Sequence, residues 1–406
     1  MSRALLLELY DAALRAVDGR ARTAAWLRDH PPAAPVHVIA VGKAAAAMLQ
    51  GAIDVLGEGV QSAFMVTKHG HDDPALAADS RVQCLSAGHP VPDADSFAAG
   101  SALIDYIAGL PAAAEVLVLL SGGASSLIEA PVGGMSQRDI ARATGFLLAN
   151  GWEIGDMNRL RKRWSRLKGG GVAELLGGRR VEVLLISDVP GDDPAMIGSG
   201  PLWPGVHTVD LPELPEWLAE RLPAARGTNA PPPPHHLIAT NADACAAALA
   251  SATARNVVAH PLVGTLDGDV LATAERIAAH LANAPDGVHV WGGEATVRLP
   301  ENPGRGGRNQ QLALALARRI AGRDDLIVLA AGTDGTDGPG FDAGALVDGG
   351  SVARGEVEGL SVDAALQAAD AGSFLAASGD LINTGPTGTN VMDMVIAIKG
   401  PGGRCT

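Results

Sequence analysis

Cysteine is nearly absent. Cys84, Cys245 and Cys405 are the only three in 406 residues. They lie far apart, with no Cys-x-x-Cys and no histidine at a zinc-finger spacing, so neither a disulfide framework nor a structural zinc site is expected, and a reduced cytoplasmic protein is. Also missing is any uncharged apolar run of about 18 residues, the length that would suggest a membrane span. The opening MSRALLLELYDAALRAVDGR scatters Arg, Asp and Glu among Leu and Ala, which reads as an amphipathic helix and not as a signal peptide. Positive charge is short as well: 31 Lys and Arg face 45 Asp and Glu, a formal net charge of −14. That balance argues against a nucleic-acid partner, and any small anion must be met by cations gathered locally. No fixed-period repeat is visible.

What is present is a large apolar fraction, 47% of the residues, in a chain longer than one core usually supports; two domains are expected. Continuous apolar runs (VHVIAV, EVLVLLS, VEVLLIS, VHVWGG, LIVLAAG) alternate with Ala-rich helical stretches, among them a helix-like segment from Ser136. The pattern is that of an α/β protein whose parallel or mixed sheet is covered on both faces. The segment GTNAPPPPHH, from Gly227 to His236, holds four consecutive prolines and so excludes helix and central strand. A boundary there gives domains of residues 1–230 and 235–406, although a Pro-rich surface loop within one domain has the same composition.

Ligands in open α/β sheets collect at the carboxyl ends of the strands, and there the chain places its polar residues. VIAVGKAAAAM puts Lys43 in the first turn of a helix, where the macrodipole disfavours a cation unless an anion sits in front of it; a solvated lysine is the plain alternative. No glycine precedes it at the Walker A spacing. EVLVLLSGGASSLIEAP supplies Ser121, Gly122, Gly123, Ser125 and Ser126, a turn able to cradle phosphate or simply to cap a helix. GDMNRLRKRWSRLKGGG gathers six cations, of which Arg161 and Lys168 with the Asn158 amide could hold a carboxylate; most of the six would suit a solvated helix face. Arg308, in PGRGGRNQQLALALA, again stands where a helix is expected to open, at about Asn309. Two acidic strand ends complete the set: Asp188, Asp192 and Asp193 in ISDVPGDDPAMIGSGP, and Asp334 and Asp337 in GTDGTDGPGFDAG. The second lacks the pattern of an EF-hand, and Asx turns are its plain alternative. Cations for phosphoryl oxygens beside carboxylates for a divalent ion or an alcohol make a phosphotransferase layout.

These stretches, together with KHGH, AGHPVPDADS, GGEATV and TGPTGTNVMD, resemble in order the glycerate 2-kinase family with a MOFRL-type carboxyl-terminal domain, some of whose members are labelled hydroxypyruvate reductases. The resemblance implies a Rossmann-like amino-terminal domain, a smaller α/β carboxyl-terminal domain, and an active site in the cleft. It implies ATP and Mg²⁺ as cofactors, D-glycerate phosphorylated on its 2-hydroxyl, and Lys43 and Arg308 acting on the transferring phosphoryl group. Asp188 is assigned to orient the hydroxyl or hold metal, with Asp193, Asp334 and Asp337 as further metal ligands. A monomer or a homodimer suits such an enzyme. The chain departs from the family pattern at Gln311, where Glu is expected, and at Arg163 and Trp164, where His and an aliphatic residue are more usual. His69, His71 and His89 fall in matching loops, with structural and ligand-contact roles both open.

Two other readings are distinguishable. An NAD(P)H-dependent hydroxypyruvate reductase should carry G-x-G-x-x-G between a strand and a helix, and no strand end here has it. A non-catalytic sensor of a phosphorylated metabolite would use the Ser-Gly turn, but would have no need of two carboxylate clusters.

Overall fold

The computed structural model describes residues 3–150, 152, 154–204, 214–222 and 230–400. It contains two compact units, one of residues Gly19–Ala239 and one combining Met1–Asp18 with Thr240–Thr406. The opening helix, Arg3–Ala16, thus belongs to the carboxyl-terminal unit. Its buried face of Leu6, Leu9, Tyr10 and Ala13 packs on the helix Asn241–Ala254 and reaches the sheet beneath. Part of the expected proline-rich break, residues 227–229, lies outside the described residues. The remainder, Ala230–Pro234, has no regular structure and leads into a strand.

The Gly19–Ala239 unit is built on six strands: β1 (Val36–Val41), β2 (Val60–Lys68), β3 (Val82–Ala87), β4 (Glu115–Leu120), β5 (Arg180–Ile186) and β6 (His235–Ala239). All neighbours pair in parallel, in the order β3-β2-β1-β4-β5-β6. The apolar runs are continuous because both faces are covered; β1 and β4 are buried along nearly their whole length and β5 over its last four residues. Chain order reverses between β1 and β4, which opens a crevice at their carboxyl ends.

The second unit holds β7 (Gly264–Leu266), β8 (Gly287–Gly293), β9 (Leu326–Gly332), β10 (Gly344–Asp348), β11 (Leu381–Ile382) and β12 (Asp393–Lys399), ordered β11-β10-β9-β12-β8-β7. Only β7 and β8 pair in parallel; the other contacts are antiparallel. The helix Arg308–Arg319 buries nine of its residues, including Leu312, Leu314 and Leu316. Because β12 runs against β8 and β9, Asp393 at its start is in register with both Gly293 and Gly332. One acidic residue is thereby set between two strand ends that the sequence separates by 39 positions.

Among the described residues no helix is long and apolar enough to cross a membrane. Cys84 and Cys245 are free thiols, and Cys405 lies outside the described residues.

Candidate active site

In the parallel unit the turns after β1 and β4 interlock. Lys43 N–H donates to Gly122 O at 2.9 Å and Ser121 N–H to Val41 O at 3.0 Å. Ser121 Oγ accepts from Ala44 N at 3.0 Å. The crossing is so close that a Cβ on Gly42, whose φ is +132°, would lie 2.2 Å from Ser121 Oγ; only glycine fits. Lys43 therefore precedes the helix Ala45–Leu56 by two residues instead of sitting in its first turn, and Ser121 satisfies one of the helix's open N–H groups. Gly123, at φ +86°, opens the short helix Ala124–Leu127. A side chain there would meet His89 and Lys43 at 3.2 Å, so these two flank the Ser-Gly-Gly turn. Ser126 turns back, donating to Gly123 O at 3.2 Å.

Asn158 and Arg161 lie on the helix Ile154–Trp164. Ser199 Oγ donates to Asn158 Oδ1 at 2.8 Å and contacts Ser125 Oγ at 2.6 Å, so the β4 turn and the Asn158 helix meet at Ser199. Arg161 makes one long hydrogen bond, 3.5 Å from Nη1 to Asn158 Oδ1, and no ion pair among the described residues. Burial lowers its pKa, with the nearby Glu129 opposing. Lys168 behaves differently. It is buried against Glu129, Nζ to Oε2 at 2.5 Å, with a further bond to Ile128 O at 3.2 Å. Desolvation lowers its pKa against the pull of Glu129. Of the other cations in the stretch, Arg159 pairs with Asp156 at the surface and Lys162 donates to Ala195 O at 2.9 Å.

The acidic residues that follow β5 are not buried together. Asp193 is exposed and accepts from Ala195 N at 2.9 Å, while Asp188 and Asp192 are half-buried. Burying three carboxylates together without partners would be costly, and the structure avoids it.

In the second unit Arg308 opens its helix, one residue before the expected start. Its guanidinium clasps Asp393, Nε to Oδ2 at 2.5 Å and Nη2 to Oδ1 at 3.1 Å, and Nη1 reaches Glu294 at 2.9 Å. Burial opposes its charge, but Asp393 and Glu294 outweigh burial and raise its pKa. Asp337 is buried at the same helix start and accepts from Asn309 N at 3.0 Å and Gln310 N at 2.8 Å. Desolvation pushes its pKa up to about 6 in spite of these bonds. Asp334 accepts from Thr336 N at 2.9 Å through Oδ1. Behind the group, Tyr10 donates to Gly332 O at 2.6 Å, and burial together with Asp334 and Asp393 raises its pKa.

None of Glu129, Glu294 and Asp393 stands out in the sequence as a site residue; Glu294 and Asp393 are visible only as members of the matching stretches GGEATV and TGPTGTNVMD. The one available signal is an acid at the very start of an otherwise apolar strand, DMVIAIK. Two of the three departures from the family pattern, Gln311 and Trp164, have packing explanations. Gln311 is buried and its Nε2 donates to Leu366 O at 2.8 Å, which an ionised glutamate could not do. Trp164 is fully buried in a core with Phe97, Leu147 and Leu160.

A family model described as a domain of unknown function, DUF4147, matches residues 5–213, and the MOFRL family model matches residues 287–393. The D-glycerate 2-kinase of Thermotoga maritima is 35% identical over 89% of this chain and 90% of its own. A protein of Agrobacterium vitis that carries the provisional name of hydroxypyruvate reductase is 35% identical over 97% of this chain and 93% of its own. The crystal structure of a glycerate kinase from Thermotoga maritima superposes with a TM-score of 0.83 at 32% identity, covering 98% of this chain and 99% of that one.

Proposed function

The chain belongs to the glycerate kinase family, and from that premise we propose that it transfers the γ-phosphoryl group of ATP to the 2-hydroxyl of D-glycerate. The observation that carries this reading is the interlocked pair of turns at the β1/β4 reversal, Gly42–Lys43 against Ser121–Gly123. A dinucleotide enzyme would present G-x-G-x-x-G at this first strand-to-helix turn. Here the turn is VGKAAAAM, whose N–H groups from Gly42 to Ala45 are bonded within the fold; what it brings is a lysine beside the Ser121–Gly123 turn, a cation that suits phosphate.

In this proposal Lys43 and the Ser121, Gly122, Gly123 and Ser125 turn hold phosphoryl oxygens, while Asn158 and Arg161 take the substrate carboxylate. Asp188 orients the attacking hydroxyl and accepts its proton as the O–P bond forms and ADP leaves. Arg308, fixed by Asp393 and Glu294, stabilises charge on the transferring group. Lys168, buried with Glu129, contributes by holding the chain that carries these groups.

The aspartates fit Mg²⁺ chemically, since they are hard oxygen donors. Among the described residues they form no three-carboxylate cage; the one set of three possible ligands within 4.8 Å is His69, Asp93 and Asp95. Magnesium needs no such cage, being held by one or two carboxylates with water and phosphate oxygens. Each unit offers its own candidates to hold it, Asp188 and Asp193 in the parallel unit and Asp334 in the other, where Asp337 supports Asp334 because both its oxygens already accept backbone N–H groups. Bound there, the ion supplies neutralisation of phosphate charge.

A coupled assay for ADP, with the product identified by phosphorus and proton NMR, tests the reading. Glycerate-dependent ADP and 2-phosphoglycerate are expected; oxidation of NADH by hydroxypyruvate without ADP formation would replace the kinase with the reductase.

A further inference from the structure

Ser199 occupies a place in the chain that favours glycine. It lies between Gly198 (φ +58°) and Gly200 (φ +62°) and itself has φ +62°, so three consecutive residues are left-handed with a fully buried serine in the middle. A β-carbon there is strained, and glycine would keep every backbone contact, including Ser199 N–H to Met196 O at 3.0 Å and Gly169 N–H to Ser199 O at 3.1 Å. What glycine lacks is the hydroxyl. That hydroxyl joins Ser125, at 2.6 Å, to Asn158 Oδ1, at 2.8 Å.

A count of hydrogens fixes the direction of the chain. The amide atom facing Ser199 is the oxygen, because Arg161 Nη1 approaches the same atom at 3.5 Å and a donor would repel it. The single hydrogen of Ser199 goes to that oxygen, so the hydrogen of Ser125 goes to Ser199. Asn158 Nδ2 then has no partner among the described residues and presents its hydrogens away from the chain, next to an Arg161 guanidinium that lacks an ion pair among the described residues. Two such donors match the two oxygens of a carboxylate.

We propose that Ser199 is a positioning residue: it locks the Asn158 amide so that Nδ2, beside Arg161, receives the carboxylate of the hydroxy-acid substrate. The inference rests on the kinase reading and adds to it the means by which the acid end is recognised. It also accounts for a strained serine in the stretch IGSGP.

The test compares Ser199→Gly with Ser199→Ala by steady-state kinetics and thermal unfolding. Both variants lose the hydroxyl, so both should raise KM for glycerate about ten-fold, leave KM for ATP within two-fold, and change kcat less than KM. Only the alanine keeps the strain, so its Tm should fall below that of the glycine variant by about 2 °C or more. A shared KM change with different Tm values is something a merely structural role cannot produce. An unchanged KM for glycerate in Ser199→Gly, or a parallel rise in KM for ATP, overturns this inference alone. Absence of glycerate-dependent ADP formation by the unaltered protein overturns the proposed function and this inference with it.

Discussion

Lys168 is a buried cation and Arg308 a half-buried one, both in ion pairs, and their surroundings move them in opposite directions. Lys168 has one carboxylate, Glu129, and Arg161 nearby adds repulsion, so desolvation wins and its pKa falls. Arg308 has Asp393 and Glu294 in direct contact and Asp337 close by, so attraction outweighs desolvation and its pKa rises. The first arrangement holds two chain segments together and leaves a cation, Arg161, without an ion pair among the described residues. The second fixes a guanidinium among carboxylates at strand ends. A cation in a candidate site is thus informative only together with its counter-charges, since one anchors the scaffold while the other is held in its charged form.

The largest expected effect comes from removing the second arrangement. Arg308→Ala should lower kcat by about 10³-fold, or about 4 kcal/mol, and Arg308→Lys by about 10²-fold, because an ammonium cannot reproduce the bidentate clasp on Asp393 together with the contact to Glu294. Circular dichroism should show a folded protein in both cases. If Arg308 served only to neutralise its neighbours, Asp393→Asn would restore activity to Arg308→Ala; no restoration is expected. The scaffold pair breaks differently. Glu129→Gln leaves a buried lysine without its counter-ion and should cost about 3–5 kcal/mol of stability, read by urea unfolding. Adding Lys168→Met should recover most of that loss.

The contrast between the two cations could not be drawn from the sequence, although much around them could. Runs such as VHVIAV and LIVLAAG became strands because a continuous apolar segment of that length must be covered on both faces. Arg308 was legible because a cation at a helix start is a local anomaly. Glu129 and Asp393 were not, since nothing local shows that Glu129 turns inward to Lys168 or that β12 runs antiparallel between β8 and β9 and so delivers Asp393 to Arg308. Long-range pairing decides both. The opening helix was legible as amphipathic, but its partner was not, because an apolar stripe does not say which unit will bury it.

Asp337 sharpens the comparison through pH. Its pKa is raised from the ordinary carboxylate range to about 6, so in that interval the folded state holds a proton that the unfolded state has lost. Stability must therefore fall as pH rises from about 4 to about 6, by about 2–3 kcal/mol from this group. Burial lowers the pKa of His289, which acts the other way as pH falls below about 6.5. The informative quantity is consequently the difference in urea midpoint between the unaltered protein and Asp337→Asn across that window. The two should lie closest at about pH 4, and Asp337→Asn should gain on the unaltered protein as pH rises to about 6, because the asparagine keeps the volume without the charge. A constant difference would place Asp337 outside the electrostatic group around Arg308.

Tyr10 carries the smallest effect and the most specific one. Its hydroxyl donates to Gly332 O at 2.6 Å from a helix at the far end of the sequence, and Gly332 is in register with Asp393. Tyr10→Phe removes one buried hydrogen bond and no apolar volume, so stability should fall by only about 1 kcal/mol. Leu9→Ala, on the same helix, removes buried volume and should cost about 2–5 kcal/mol. If the acidic strand ends depend on the tyrosine, activity will not follow stability across this pair. Tyr10→Phe should raise the Mg²⁺ concentration needed for half-maximal turnover several-fold, whereas Leu9→Ala should leave it unchanged at a temperature where both variants are folded. An equal magnesium requirement in the two would reduce Tyr10 to a packing residue and leave Arg308 as the element that organises the cluster.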